Sequence, residues 1–179
     1  GSRFSNINEP PKQLSKLNKN YILINIIDHL KTYGFNHFIF PLGLKKNFFL
    51  RFFKSKKNIA KYNFNILKNN FKVNELLKNK NNISLFDAGK NTNKLNRIYK
   101  SLKFLKNESF LIVYGDDLSN VNLNQVISKF EKYNQKKAVV TIFKKNSQYG
   151  HLITNNKGDV VKFIEKPPHQ YPVNIGNYI

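Results

Sequence analysis

No cysteine, methionine or tryptophan occurs among the 179 residues of this chain. Without cysteine there can be no disulfide and no thiolate metal site. Without an initiator methionine, the chain is expected to be processed, engineered or a fragment. Long hydrophobic runs are missing too. No stretch of about 18 uncharged apolar residues exists, so neither a transmembrane helix nor a signal peptide is readable. Acidic residues are scarce, 10 Asp and Glu against 31 Lys and Arg, for a net charge of +21. Arginine is scarcer still, limited to Arg3, Arg51 and Arg97.

What is present argues for a folded domain. Hydrophobic residues make up 40% and aromatic residues 14%, which excludes wholesale disorder. The length suits one compact domain over residues 1–179 with a core of its own. The positive charge is uneven: residues 44–106 hold 17 basic and 2 acidic residues. That excess raises nucleic-acid binding through 44–106, with affinity that falls steeply with salt. The near absence of the forked, phosphate-gripping Arg side chain weighs against it. A solvated Lys-rich surface is the simpler reading, with a positive field able to draw in small polyanions.

Periodicity predicts an α/β order. Leu23, Ile26, Ile27 and Leu30 fall at helical spacing, with Gly34 as a stop. A strand follows at 37–40, then an amphipathic helix at 45–53. Residues 54–82 resist assignment, although 62–67 alternate like an exposed strand. Next come a strand at 83–86 and a helix at 95–105 with Leu95, Ile98, Leu102 and Leu105 on one stripe. Phe110–Tyr114 reads as a strand buried on both faces of a parallel sheet. A helix follows at 123–133, with Val126, Ile127, Phe130 and Tyr133 toward the core. A strand at 138–143 and a hairpin of 152–154 with 160–165 complete the series. The expected architecture is a Rossmann-like α/β fold, a mainly parallel sheet with helices on both faces.

Three short segments could carry chemistry. Tyr114-Gly115-Asp116-Asp117 ends an apolar strand, where ligands sit in open α/β sheets, and Asp116 is placed to hold a hard cation such as Mg²⁺. Gly-Asp-Asp is equally ordinary turn chemistry. Gly1-Ser2-Arg3-Phe4, followed by Pro10-Pro11-Lys12, could donate backbone N–H groups and positive charge to phosphates, although Gly1-Ser2 could equally be a cloning remnant. Phe163-Ile164-Glu165-Lys166-Pro167 closes a strand with a Glu and a Lys expected on opposite faces, one for sugar hydroxyls and one for phosphate. A plain surface pair is the alternative. His29, His37, His151 and His169 lack metal-ligand spacing and are given core or surface roles.

Taken in order, these segments resemble the sugar-nucleotidyltransferase family, most closely its glucose-1-phosphate cytidylyltransferase branch. Gly1-Ser2-Arg3-Phe4 matches the end of its Gly-rich loop, G-[ST]-R-[LF], and Pro11-Lys12-Gln13-Leu14 matches P-K-P-[LM]. The helix pattern I-L-x-x-I…G-[IF] is met by Ile22-Leu23-Ile24-Asn25-Ile26…Gly34-Phe35. D-[TA]-G…T is met by Asp87-Ala88-Gly89…Thr92, and Y-G-D by Tyr114-Gly115-Asp116. Tyr149-Gly150-His151-Leu152, Phe163 to Pro167, and Asn174-Ile175-Gly176 match [FY]-G-x-L, F-x-E-K-P and N-x-G.

The resemblance implies a cytoplasmic enzyme that transfers a nucleotidyl group from CTP to a sugar 1-phosphate, glucose 1-phosphate foremost, releasing pyrophosphate. Arg3 and Lys12 would be catalytic. Gly1, Ser2, Arg3, Thr92 and Lys94 would hold the nucleotide. Gly150, Glu165, Lys166 and Asn174 would hold the sugar phosphate, and Asp116 would bind Mg²⁺. No membrane or nucleic-acid partner is implied, and self-association is left open.

The chain departs from the pattern in four places. The family's first strand does not precede Gly1, and its second metal-binding Asp, from a later part, has no counterpart here. T-G-G-R is reduced to Thr92-Asn93-Lys94, and the proline after the lysine is Gln13. A fragment lacking both ends, inactive alone but drawn from an enzyme, is therefore expected. A degenerate domain that binds nucleotide without turnover is the alternative.

Overall fold

The computed structural model describes residues 8–55, 63–66, 82–105, 108–134 and 137–179, with 63–66 described by their backbone. The chain divides into two compact units, Gly1–Phe110 and Leu111–Ile179.

The first unit begins with a 3₁₀ turn, Lys12–Leu14, then a two-stranded ribbon of β1 (Lys16–Leu17) and β2 (Asn20–Tyr21). Helix α1 (Ile22–Thr32) buries Leu23, Ile24, Ile26, Ile27 and Leu30, the stripe expected from their spacing. It ends at Gly34, whose φ of 88° lies in the left-handed region. There Gly34 N–H donates to Lys31 O and Phe35 N–H to Leu30 O, closing off helix carbonyls that would otherwise lack partners.

The parallel sheet is built from β3 (His37–Leu42), β4 (Asn63–Ile66) and β5 (Asn82–Asp87), in the order β3-β5-β4. Five of the six β5 residues are buried, as a central parallel strand requires. Residues 62 and 67, expected in the β4 strand, lie outside the described residues. Helix α2 (Lys46–Lys54) inserts Phe53, fully buried, with its ring centroid 5.6 Å from that of Phe40 and 5.2 Å from that of Phe52.

Helix α3 (Lys94–Leu102) corrects one expectation. It stops at Leu102, short of the expected 105, and on its apolar stripe Leu95 is 72% exposed and Leu102 41%. The residue that reaches the core is Phe104, beyond the helix end, against Phe86 and Ala88. Helical spacing marks an apolar face but cannot say that another element covers it.

In the second unit, β6 (Ile112–Val113), β10 (Val173–Tyr178) and β7 (Val140–Phe143) form an antiparallel sheet in the order β6-β10-β7. This overturns the reading of Phe110–Tyr114 as a doubly buried parallel strand. Among the described residues Ile112 and Val113, half-buried, pair at the sheet's edge and antiparallel to β10, and Tyr114 N–H donates to Gly176 O at 3.3 Å. An apolar run fits either setting, because periodicity does not choose the neighbour. Helix α4 (Leu123–Lys132) buries Leu123, Val126 and Phe130, whereas Tyr133 is exposed. Strands β8 (His151–Thr154) and β9 (Val160–Ile164) form the expected hairpin, turning through Gly158 at φ 89°. The fold is thus α/β with a parallel sheet, and among the described residues parallel pairing is confined to the first unit. No helix among the described residues is long and apolar enough to cross a membrane.

Candidate active site

Paired parallel strands end on the same side. Leu42 is in register with Asp87, so the loops after β3 and β5 share one rim of the sheet, and Ala88 N–H donates to Leu42 O at 2.8 Å. That rim is where ligands sit in open α/β sheets. The loop after β5 is tightly built. Asp87 Oδ1 accepts the Gly89 N–H at 2.9 Å, and Ala88 O accepts from both Thr92 Oγ1 at 2.5 Å and Lys100 Nζ at 2.7 Å. Gly89 has φ 100°, and a Cβ there would lie 2.8 Å from Thr92 Oγ1, so glycine is required twice over.

Cations surround this loop. Arg97 Nε donates to Thr92 O at 3.0 Å while its guanidinium lies against Gly43, where a side chain would have to displace it. Lys46 Nζ is 2.6 Å from Asp87 Oδ2. The Lys46 hydrogen bond, helped by the Gly89 N–H, holds the Asp87 carboxyl below its ordinary range. Lys46 and Lys100 near one carboxylate, with Arg97 on the Thr92 carbonyl, leave a net positive rim suited to a polyanion.

Lys12 stands exposed on the 3₁₀ turn, whose ends are fixed by buried Pro11 and Leu14. Thr92 faces inward onto Ala88 O, and Lys94 opens α3 on the exposed side, after Asn93 caps the helix by accepting Asn96 N–H at 2.8 Å. Gly1, Ser2 and Arg3 lie outside the described residues.

In the second unit, Asp116 sits half-buried in the turn after β6, closed by Asp117 N–H donating to Tyr114 O at 3.2 Å. Strand β10 bulges beside it. Asn174 Oδ1 accepts the Gly176 N–H at 2.7 Å, and Gly176 takes φ 86° with Asp117 Oδ2 close above its Cα. The carboxamide nitrogen of Asn174 donates to Tyr178 OH, which also pairs with Tyr114 OH at 3.2 Å. That tyrosine partner pushes the Tyr178 phenol above its ordinary value. Asn174 is therefore committed to shaping its own strand.

Gly150, Glu165 and Lys166 do come together. A Cβ on Gly150 would overlap the Phe163 ring and come 3.3 Å from Glu165 Oε2. The Glu and Lys do not alternate on a strand as expected. Strand β9 ends at Ile164, Lys166 turns to φ 44°, and its Nζ lies 3.8 Å from Glu165 Oε1, with both side chains exposed. The turn, not the pleat, sets their directions.

Sequence reasoning quoted Asp87 and Gly176 within motifs without assigning them a role, and missed Lys45, Lys46, Arg97 and Lys100. The lysines were hidden among 28 of their kind. Among the described residues no group of three or more Asp, Glu or His side chains gathers as a metal cluster. Asp116 with Asp117 beside it supplies hard oxygen donors of the kind Mg²⁺ takes, alongside phosphates and water.

A family model described as Nucleotidyl transferase matches residues 6–179, spanning both units. The chain is 31% identical over 185 residues to a Bacillus subtilis (strain 168) protein named "Probable glucose-1-phosphate cytidylyltransferase", covering 100% of this chain and 70% of that one. The crystal structure of HddC from Yersinia pseudotuberculosis shares the fold, with a TM-score of 0.60 at 15% identity over 94% of this chain. This chain spans 66% of HddC. Matched by that model over nearly its whole length, the chain belongs to the nucleotidyl transferase family.

Proposed function

We propose that the protein carrying this chain is a Mg²⁺-dependent cytidylyltransferase acting on a sugar 1-phosphate, with glucose 1-phosphate the first candidate. The observation that carries the reading is the cation-rimmed loop Asp87–Thr92 at the carboxyl end of the parallel sheet, a setting suited to a nucleoside triphosphate. The name of the Bacillus subtilis relative supports the choice of nucleotide and sugar.

In the proposed reaction a phosphate oxygen of the sugar ester attacks the α-phosphorus of CTP. The bond from that phosphorus to the bridging oxygen breaks, and pyrophosphate leaves as the CDP-sugar forms. Such chemistry depends on positioning and on stabilising developing charge. Lys12, exposed on its turn, would neutralise the phosphates, and Arg3 would assist it. Gly1, Ser2, Thr92 and Lys94 would hold the nucleotide. Glu165 would accept hydrogen bonds from sugar hydroxyls while Lys166 grips the ester phosphate, beside Gly150 and Asn174. Asp116 would hold Mg²⁺, which when bound screens the phosphate oxygens.

Pyrophosphate release from CTP and glucose 1-phosphate, measured with the native protein that carries this chain, tests the reading. Activity that Lys12→Met and Asp116→Asn each abolish, with the fold retained, supports it. CTP binding without pyrophosphate release from any sugar 1-phosphate would instead establish a binding domain.

A further inference from the structure

Two adjacent lysines occupy the turn between β3 and α2, and they reach in different directions. Lys45, the residue that precedes α2, is 9% exposed, and its Nζ donates to the Glu9 carbonyl at 3.0 Å. Lys46, the first residue of the helix, sends its half-exposed ammonium to Asp87 Oδ2 at 2.6 Å. A helix start disfavours cations, and α2 has no acidic residue in its first turn to offset them. Partners elsewhere in the fold therefore do the offsetting.

What each lysine holds is informative. Glu9 is followed by Pro10, Pro11 and Lys12. Proline has a fixed φ, and Pro11 sits at φ −66° and ψ 150°, so the link from the Glu9 carbonyl to Lys12 is stiff. Beyond it, Leu14 N–H donates to Pro11 O and Ser15 N–H to Lys12 O, completing a short rigid strap. On the other side, Asp87 orders its loop through Gly89 N–H, and Thr92 folds back onto Ala88 O.

We infer that Lys45 and Lys46 are positioning residues, Lys45 setting the Lys12 strap and Lys46 setting the Asp87–Thr92 loop through the Asp87 carboxylate. The functional part of this inference rests on the roles given above to Lys12 and Thr92. Lys45 thus acts on the transfer step, and Lys46 acts on nucleotide affinity.

The experiment combines steady-state kinetics with amide hydrogen exchange on the native protein. Lys46→Met and Asp87→Asn are each expected to raise KM for CTP on the order of tenfold, with the double variant no worse than either alone, because one carboxylate carries both effects. Lys46→Arg should restore most of the affinity. Lys45→Met is expected to lower kcat with little change in KM, and Pro10→Gly, which loosens the strap without touching the buried amine, should do the same. Exchange should quicken at Leu14 and Ser15 in the Lys45 variant, and at Gly89 and Thr92 in the Lys46 variant. Additive Lys46 and Asp87 effects would mean that Lys46 meets the nucleotide directly, and would overturn the inference. So would a Lys45→Met variant that loosens both segments alike, or a Pro10→Gly variant with unchanged kcat. A wild type that neither binds nor consumes CTP overturns the nucleotide reading, and the exchange pattern still decides whether the two lysines hold separate segments.

Discussion

Lys46 Nζ lies 2.6 Å from Asp87 Oδ2, joining the first residue of α2 to the last residue of β5, 41 positions later in the chain. The contact favours the ionised carboxylate, so the Asp87 carboxyl titrates below its ordinary range. A lowered folded value means the stabilisation is complete above the ordinary Asp range and is lost as pH falls through the lowered value. Both side chains are about half exposed, which limits the contribution to within about 1 kcal/mol and makes it salt-sensitive. Thermal unfolding of wild type and Asp87→Asn, followed from neutral pH into acid at low and high salt, should show the wild-type advantage vanish on acidification.

Phe53 is fully buried between the Phe40 and Phe52 rings, and Phe52 in turn meets Tyr21 edge-on at 4.8 Å. Phe53→Ala should cost about 3–5 kcal/mol, since the stacked neighbours cannot all collapse into the space. Denaturant unfolding with an unchanged m-value checks this. A loss below about 1 kcal/mol would show that the aromatic stack is not the anchor of α2.

Gly176 combines φ 86° with a neighbour that a Cβ would meet at 2.7 Å, Asp117 Oδ2. Gly176→Ala should therefore destabilise by about 1–3 kcal/mol. Pairing it with Asp117→Gly separates the two causes. The Asp117 clash disappears, the backbone strain and the Tyr114 ring contact stay, and only part of the loss should return.

Gly150 faces a softer obstacle. A Cβ would strike the exposed, movable Phe163 ring and press on Glu165 Oε2 at 3.3 Å. Gly150→Ala should leave stability within about 1 kcal/mol of wild type. If Glu165 holds the sugar, displacing it should raise KM for glucose 1-phosphate roughly ten- to a hundredfold while KM for CTP holds. Equal changes in both constants would remove Glu165 from sugar recognition.

Elements with strong local signals were legible from sequence: α1 with its Gly34 stop, α2, β5 and the β8–β9 hairpin. Failures came where the outcome depended on a partner. Ile112–Val113 is as apolar as a central strand, yet it pairs at an edge with β10. Leu95 and Leu102 have the spacing of a core stripe, yet are left exposed, while Phe104 beyond the helix reaches the core. Glu165 and Lys166 were expected on opposite faces of a strand, but a left-handed backbone at Lys166 brings them together where strand alternation would have parted them.

Motif order and hydrophobic spacing by themselves determined the family and most of the elements, because helical and strand periods and glycine turns are written within a few residues of one another. Which lysines matter was decided only in three dimensions. Among 28 chemically identical side chains, folding sets a distant carbonyl within reach of Lys45 and Lys100 and a distant carboxylate within reach of Lys46. Proximity across dozens of residues is a product of folding, and no local pattern encodes it.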